Sequence, residues 1–312
     1  RQPALRRGSI PVGPPTNCQR QPAHATVCRF GACYLRTMEE VAWLCPVCTA
    51  PLSRDARSLA CANNHSFDLA REGYANLLLA HRKRSKNPGD AKVMLTARRD
   101  FLGAGLYAPL AEAVVDVLSP HISNRSTLLD CGCGDGYYAA FVHRALKPTI
   151  RGIDIAREGV RIAARRFKGV GAAQFAVASS YNLPLPDSSL DGVLQVFAPV
   201  SDSELVRVLK PEGVYCAVSP GPHHLGALKR LLYDVVREHK EPTHPRGLSL
   251  LHERRVSFEM QLERAVDIGN LLAMTPLNWK GSREAKTEVR AMHTLAVEAD
   301  FIVRRAIGAV AS

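Results

Sequence analysis

No apolar run in this 312-residue chain approaches the roughly 20 residues that a helix needs to cross a bilayer, so no membrane span is expected. A disulfide framework is also missing. Of the nine cysteines, Cys18, Cys28 and Cys33 lie in an irregular leader, Cys131 and Cys133 in a glycine loop, and Cys216 in an apolar run. The other three sit at metal-ligand spacing, which fits a reducing cytoplasm. Residues 1–37 contain six Arg and no acid, and so supply half of the net charge of +12. They are rich in Pro, Gly and Cys, show no periodicity and contain no Met, the first being Met38. They are read as a disordered leader or as translated upstream sequence ahead of a start at Met38, with an Arg-rich organellar presequence as the rival reading. The remaining basic excess is modest and favours an anionic partner, nucleic acid first.

The chain turns on Leu128-Leu129-Asp130-Cys131-Gly132-Cys133-Gly134-Asp135-Gly136. An apolar strand ends in an acid, a glycine falls at every second position, and a helical pattern follows. Glycine there permits tight turning and close ligand approach. The helix end offers unpaired N–H groups. The same order could be an ordinary strand-to-helix turn, but two features argue otherwise. Asp130 at the strand tip would repel a phosphate and suits a cationic ligand. Asp154 ends the next apolar run, twenty residues after Gly134, at a distance suited to ribose hydroxyls. The G-x-G-x-x-G spacing of a dinucleotide site is absent. Together these residues resemble motifs I and II of the class I S-adenosylmethionine-dependent methyltransferases.

Ahead of this stretch, Cys45-Pro46-Val47-Cys48 is followed after twelve residues by Cys61 and then His65. Two such knuckles supply four N/S ligands, a closed tetrahedral shell for a structural zinc. A segment this short cannot build a core alone, so metal would have to hold it. His81-Arg82-Lys83-Arg84-Ser85-Lys86 then forms a basic run that ends in Asn87-Pro88-Gly89-Asp90. Arg82, Lys83, Arg84 and Lys86 either meet RNA phosphates or belong to a solvated linker; their place between a zinc module and a catalytic domain favours RNA. Helical patterns follow from Ala91 to Gly105 and from Pro109 to Leu118, and Tyr107 between them is either a lid over the cofactor or a core tyrosine.

Beyond the glycine loop, strands at 150–155, 174–178, 191–197 and 214–219 alternate with helices, one carrying Arg157, Arg161, Arg165 and Arg166 toward water. This implies a mainly parallel, Rossmann-like, seven-stranded α/β sheet with ligands at the strands' C-terminal ends. Ser179-Ser180 stand where an adenine would lie, or in a plain turn. Pro220-Gly221-Pro222-His223-His224 follows the fifth strand, and a helix is expected over 225–239. The last strands and a wall of the substrate pocket are expected beyond, with Met274 to Trp279 in that wall. The division expected is a leader over 1–37, a zinc-binding RNA-recognition module over 38–80, a basic linker with helices over 81–124, and the methyltransferase domain over 125–312. The fourth strand's tip, Phe197-Ala198-Pro199, offers an aromatic face and no Asn or Asp to accept an amine's hydrogens. A ring nitrogen such as guanine N1 therefore fits better than an exocyclic amine. That nitrogen must lose a proton, and His223 and His224 are the candidate acceptors by position, His224 equally a cofactor contact.

From Leu44 to Trp279 the chain resembles the RlmA family of large-subunit rRNA (guanine-N1)-methyltransferases. The resemblance rests on the zinc pattern, on Phe67 to Leu78, on Lys83 to Asp90, on Ala97-Arg98-Arg99, on Gly134-Asp135-Gly136-Tyr137-Tyr138 and on Pro220 to Leu225. It implies that Cys45, Cys48, Cys61 and His65 bind zinc and that Tyr107, Gly134, Asp135 and His224 contact the cofactor, beside Asp130, Gly132 and Asp154 from the loop reading. The basic run and the Gly-Tyr-Tyr sequence look like the branch typified by Gram-negative bacteria, which methylates a guanine in the hairpin 35 loop of 23S rRNA. A sister branch linked to macrolide resistance modifies a neighbouring guanine. The family implies a homodimer acting on 23S rRNA or a large-subunit precursor in the cytoplasm. A small-molecule methyltransferase, for instance of quinones, would leave the zinc module and basic run without purpose. A zinc-dependent RNA-binding protein with an inactive fold is opposed by the intact acids and glycines.

Overall fold

The computed structural model describes residues 41–80, 92–236, 238–240 and 243–308. The leader, the Met38 start and the basic run with Arg82, Lys83, Arg84 and Lys86 lie outside the described residues. Three short antiparallel strands come first: β1 (Ser53–Asp55), β2 (Ser58–Ala60) and β3 (Ser66–Asp68). The main sheet is built from β4 (Ala75–Asn76), β5 (Thr127–Cys131), β6 (Thr149–Asp154), β7 (Ala173–Val177), β8 (Leu190–Val196), β9 (Leu209–Pro220), β10 (Leu248–Leu262) and β11 (Leu295–Gly308). Its order is β10-β11-β9-β8-β5-β6-β7-β4. Pairing is parallel throughout except at β9–β11 and β11–β10. Seven of these strands lie in the segment expected to hold a seven-stranded sheet; the eighth, β4, arrives from the zinc segment.

Central strand β5 is buried along its whole length, as a parallel strand covered on both faces must be. Its side chains alternate between two cores: Leu128 joins one cluster and Leu129 the other. The first cluster lies under α1 (Lys92–Gly103), α2 (Ala108–Leu118), α3 (Tyr137–Leu146) and α4 (Arg157–Arg166). The second holds residues of α5 (Asp202–Val208) and, where a further helix would be expected, Trp43, Leu52, Leu59, Ala75 and Leu77 of the zinc segment. The zinc segment thus shares a core with the sheet rather than forming a separate body. Leu44 N–H donates to the Pro184 carbonyl at 2.9 Å, and Leu77 N–H to that of Val177 at 2.9 Å.

Arg151 is the peg of this seam. It is fully buried in β6, on the face that carries Ile153, and its Nε and Nη2 donate to the Val41 carbonyl at 3.1 and 2.8 Å. The guanidinium also lies 5.9 Å from the Trp43 ring centroid. A second tie explains the cations of α4. Arg157 Nε donates to the Tyr74 hydroxyl at 3.1 Å, and Arg161 pairs with Glu72 at 3.6 Å and with Glu158 at 2.6 Å. Arg166 pairs with Asp135 at 2.6 Å. The expectation that these arginines face water holds for Arg157, Arg165 and Arg166, which are exposed, while Arg161 is half-buried; Arg157, Arg161 and Arg166 are in addition tied to neighbouring elements.

Two other expectations shift. The Lys210-Pro211-Glu212-Gly213 turn is absorbed into β9 as an irregularity, with Glu212 at φ 64° and the register slipping opposite Leu190 and Gly192. The helix expected over 225–239 is α6 (Gly226–Leu232) and stops where Tyr233 turns extended. Leu228 and Leu232 are buried, whereas Val235 and Val236, next in phase, are exposed and find no core to continue onto. Between β10 and β11 lie α7 (Ala265–Ala273), a 3-10 turn at Pro276–Trp279 and α8 (Arg283–Ala291). Among the described residues no single helix is long and apolar enough to cross a membrane.

Replacing Arg151 by Ala is expected to strand the Val41 carbonyl and loosen Trp43, lowering unfolding free energy by about 2–4 kcal/mol in denaturant titration. The same variant should expose Cys45 and Cys48 to a thiol reagent when metal is removed, faster than wild type.

Candidate active site and zinc centre

At the C-terminal end of β5 the chain bends three times through the left-handed region, at Gly132 (φ 82°), Gly134 (φ 50°) and Gly136 (φ 75°). The Gly132 and Cys133 N–H groups both donate to the Ile153 carbonyl, at 2.9 and 2.8 Å, which pins the loop to the end of β6. Gly132 passes so close to the β8 tip that a Cβ there would overlap that of Ala198. On the other side a Cβ on Gly159 would lie 2.9 Å from the Gly134 carbonyl, so the start of α4 packs against the loop. Asp154 fixes the same corner: its Oδ2 accepts the Gly134 N–H at 2.9 Å and its Oδ1 the Ala156 N–H at 2.7 Å.

Asp130 lies beneath this loop, 2% exposed. Burial, reinforced by the charges of Asp154 and Asp135, pushes its carboxyl up to about 7. Such a group is poised to ionise when a cation arrives. Asp135 is differently placed. Its Oδ2 accepts from Arg166 and its Oδ1 from the Tyr137 N–H at 3.3 Å, and its carbonyl accepts from Arg166 Nε at 3.0 Å, so the side chain is held between α3 and α4. Above the loop, Arg98 Nη1 would lie 3.8 Å from a Cβ on Gly134, and its Nη2 donates to the Met274 carbonyl at 3.4 Å. The Tyr138 hydroxyl is buried with no hydrogen-bond partner among the described residues. The charge on Asp135 and the neighbouring Tyr107 and Arg98 bear on it, beyond the burial that dominates. A loop of left-handed glycines, a buried acid and an unsatisfied phenol fit a cationic nucleoside with its own acceptors.

Tyr107 begins α2 and is buried in an aromatic cluster, its ring 5.2 Å from Phe101, 5.0 Å from Phe301 and 6.3 Å from His224. His224 is buried too, and its Nδ1 accepts the Asp300 main-chain N–H at 3.2 Å. A main-chain N–H can only donate, so the neutral ring carries its proton on Nε2. Burial, with His239 and Lys229 nearby, lowers its pKa to about 3. His224 is therefore a neutral donor and a poor proton acceptor. His223 is its opposite: 54% of its side chain is exposed, and its Nδ1 lies 3.8 Å from Glu238 Oε1.

Both histidines are set by Asp300, which sequence reasoning missed. Its fully buried carboxylate accepts the Arg255 fork at 2.7 and 3.0 Å and the His223 N–H at 3.0 Å. Burial works against its charge, yet Arg255 and the His223 N–H hold the carboxyl below its ordinary value. The Asp300 carbonyl accepts the Gly221 N–H at 2.8 Å, and a Cβ on Gly221 would fall 2.5 Å from Asp300 Cγ. Only a glycine fits there. The available signal was an acid set between Ala299 and the apolar run Phe301-Ile302-Val303. Ser179 and Ser180 sit in a turn at the end of β7, where Ser179 Oγ accepts the Tyr181 N–H at 3.2 Å.

Some distance from the loop, Cys45, Cys48, Cys61 and His65 bring four ligand atoms within 4.8 Å of one another. The Cys45 Sγ–His65 Nδ1, Cys48 Sγ–Cys61 Sγ and Cys61 Sγ–His65 Nδ1 separations are 3.6, 3.7 and 3.4 Å. These match the edges of a tetrahedron with metal bonds of about 2.1–2.3 Å, so the donor set fits zinc with no open position. Asn64 at φ 63° closes the second knuckle.

A mainly parallel sheet with a glycine loop over a buried acid at its central strand, joined to a closed Cys3His set, defines a class I methyltransferase that carries a structural zinc. Residues 43–86 match the family model for the RlmA N-terminal zinc ribbon, and residues 128–213 that for a methyltransferase domain. The 23S rRNA (guanine(748)-N(1))-methyltransferase of Streptomyces fradiae is 32% identical over 275 residues, covering 84% of this chain and 95% of that protein. A Bacillus subtilis protein, provisionally designated a 23S rRNA (guanine-N(1)-)-methyltransferase, is 28% identical over 86% of this chain and 98% of its own length. The chain belongs to the family of 23S rRNA (guanine-N1)-methyltransferases. Among solved structures, the geranyl diphosphate C-methyltransferase of Streptomyces coelicolor A3(2) matches 64% of this chain and 77% of its own, at 15% identity and a TM-score of 0.40.

The purified protein is expected to hold one zinc per chain by elemental analysis. Because the ribbon shares the sheet's core, Cys45→Ser should lose the metal and lower the melting temperature of the whole protein in a single transition. A ribbon that melts separately, leaving the sheet at its wild-type temperature, would contradict the shared core. Asp130 gives a pH prediction. Its carboxyl is raised in the fold, so the folded state holds the extra proton between about pH 4 and 7 and loses stability as pH rises through that window. A sulfonium ligand draws the proton off. At pH 6, binding of S-adenosylmethionine should therefore release close to one proton, read by calorimetry in buffers of different ionisation enthalpy, and affinity should rise toward pH 7.5. Asp130→Asn should abolish the proton release.

Proposed function

We propose that this protein transfers a methyl group from S-adenosylmethionine to N1 of a guanine in the hairpin 35 loop of 23S rRNA. The observation that carries the reading is the union of a zinc ribbon and a methyltransferase sheet in one core, in a chain whose sequence matches the Streptomyces fradiae enzyme over most of both lengths. A ribbon fused into the sheet cannot swing, so it presents the RNA at a fixed distance from the glycine loop. In this reading residues 38–80 recognise RNA, Arg82, Lys83, Arg84 and Lys86 meet phosphates, and the enzyme works as a homodimer in the cytoplasm.

When bound, the cofactor supplies an electrophilic methyl on a sulfonium; the rest is positioning. Asp130 balances the positive charge, Asp154 holds the ribose end, and the backbone of Gly132, Gly134 and Asp135 lines the nucleoside. Tyr107 and Tyr138 close over it. Phe197 is 47% exposed at the β8 tip, held at φ 54° with its ring 5.7 Å from Phe301, and offers its face to the guanine. The neighbouring Gln195 amide, which could have imitated an acceptor, is spent on the Tyr215 hydroxyl and the Ala198 carbonyl. With no acceptor at that tip, a ring nitrogen is the target the pocket accommodates. His224 enters as a neutral Nε2–H donor, and the N1 proton leaves to the other candidate acceptor, His223, whose exposed ring lies beside Glu238 and can pass it to solvent.

The test is to incubate the protein with labelled cofactor and 23S rRNA lacking the mark, free or in precursor subunits, and to map the product. The expected result is one methyl at N1 of a guanine in that loop. Label confined to small molecules, or a cofactor that binds and never reacts, would overturn the proposal.

A further inference from the structure

Three aromatic side chains among the described residues are strongly exposed: Tyr181 at 58%, Phe197 at 47% and Trp279 at 67%. The first two stand at the tips of β7 and β8. Trp279 ends the 3-10 turn between α7 and α8, the stretch expected from sequence to form a wall of the substrate pocket, and it faces solvent instead of being packed into such a wall. A single exposed apolar side chain is ordinary. This one differs in being anchored and in its surroundings.

The turn is tied down at three points. Its preceding residue Met274 accepts the hydrogen bond from Arg98, the side chain that lies over the glycine loop. Asn278 Oδ1 accepts from Arg290 Nη2 of α8 at 2.7 Å. Just after the indole, Gly281 bends at φ 76° so close to α6 that a Cβ would lie 2.9 Å from the Leu232 carbonyl. One anchor leads to the loop of the cofactor site and another to the helix that follows His223 and His224. The turn that carries Trp279 is thus tied, through its neighbours, to elements that border the site, and Trp279 itself is in solvent. Lys280 and Arg283, both exposed, follow it in the chain, with the exposed Glu284 next to Arg283.

A solvent-facing indole with cations close by in the chain is a usual device for gripping an unpaired nucleotide: the ring stacks on a base and the cations meet its phosphates. We propose that Trp279 is a stacking platform for an unpaired base next to the target guanine in the RNA loop, with Lys280 and Arg283 on the flanking backbone. This rests on the RNA-methylating reading and adds a positioning residue to it. Stacking there selects a looped RNA over a paired one and holds the target's neighbour while the guanine itself enters the pocket.

The sequence supplies its own probe, because the chain has two tryptophans. Trp43 is 3% exposed and sealed in the ribbon seam, so a change in emission on RNA binding reports Trp279. The full-length, zinc-loaded protein is titrated with an unpaired-loop hairpin and with a fully paired duplex of equal length. The hairpin should quench the exposed emission and the duplex should not. Trp279→Ala should remove the quenching and raise KM for the hairpin about tenfold, while kcat at saturating RNA and affinity for S-adenosylmethionine stay at wild-type values. Trp279→Phe should restore most of the lost affinity. Equal quenching by hairpin and duplex, or methylation by Trp279→Ala at unchanged KM, overturns the platform while leaving the enzyme reading intact. A wild-type protein that methylates no RNA sinks the enzyme reading itself, and the platform with it.

Discussion

Much of this protein hangs on a guanidinium placed where none is expected, inside a parallel sheet. Arg151 gives up water on every side and recovers hydrogen bonds from the Val41 carbonyl and a face of Trp43. A buried cation is tolerated only when its donors are satisfied. The zinc segment provides that satisfaction, and in return the cation fixes where the segment sits. The metal shapes the knuckles, but the sheet orients them. Glu72 and Tyr74, reaching α4 through Arg161 and Arg157, repeat the arrangement on the opposite side of β4.

Two buried carboxylates then divide the labour at the site. Asp130 has acids for neighbours and, among the described residues, no cation paired with it; Asp300 has Arg255 and is neutralised by the protein. In the proposed function the first is the group that meets the ligand's charge. The second is a scaffold because it is paired. Asp300 passes its rigidity to the His223-His224 loop through one carboxylate oxygen, one main-chain N–H and one carbonyl, so the tautomer of His224 is set by backbone geometry rather than by a side chain that could move.

What could be read from the chain was whatever is local. The glycine loop, Asp130, Asp154 and the Cys-Cys-Cys-His spacing depend on neighbours a few residues away, or on one repeat of strand and helix. Their chemistry follows from residue type and interval. What could not be read depends on distant pairing. Phe67 to Leu78 stood out as a motif, but its purpose as the seam between ribbon and sheet appears only when Ala75 meets Ala176 and Glu72 meets Arg161. The arginines of α4 mostly do face water, but helical periodicity cannot show that three of them also reach Tyr74, Glu72 and Asp135. Asp300 could not be linked to His224 across 76 residues. The helix after His224 was drawn too long because its apolar spacing continues while its core does not.

The two-residue strand β4 imposes an order on how the molecule is made. Its partner in the sheet lies about a hundred residues further along the chain. During synthesis the ribbon leaves the ribosome well before β6 and β7 exist, with its future contact surface bare. A bound ion allows the knuckles to keep their shape through that interval, waiting for Arg151 to emerge. On this view the zinc matters most to the nascent chain, and cells short of the metal would be expected to lose newly made protein sooner than protein already folded.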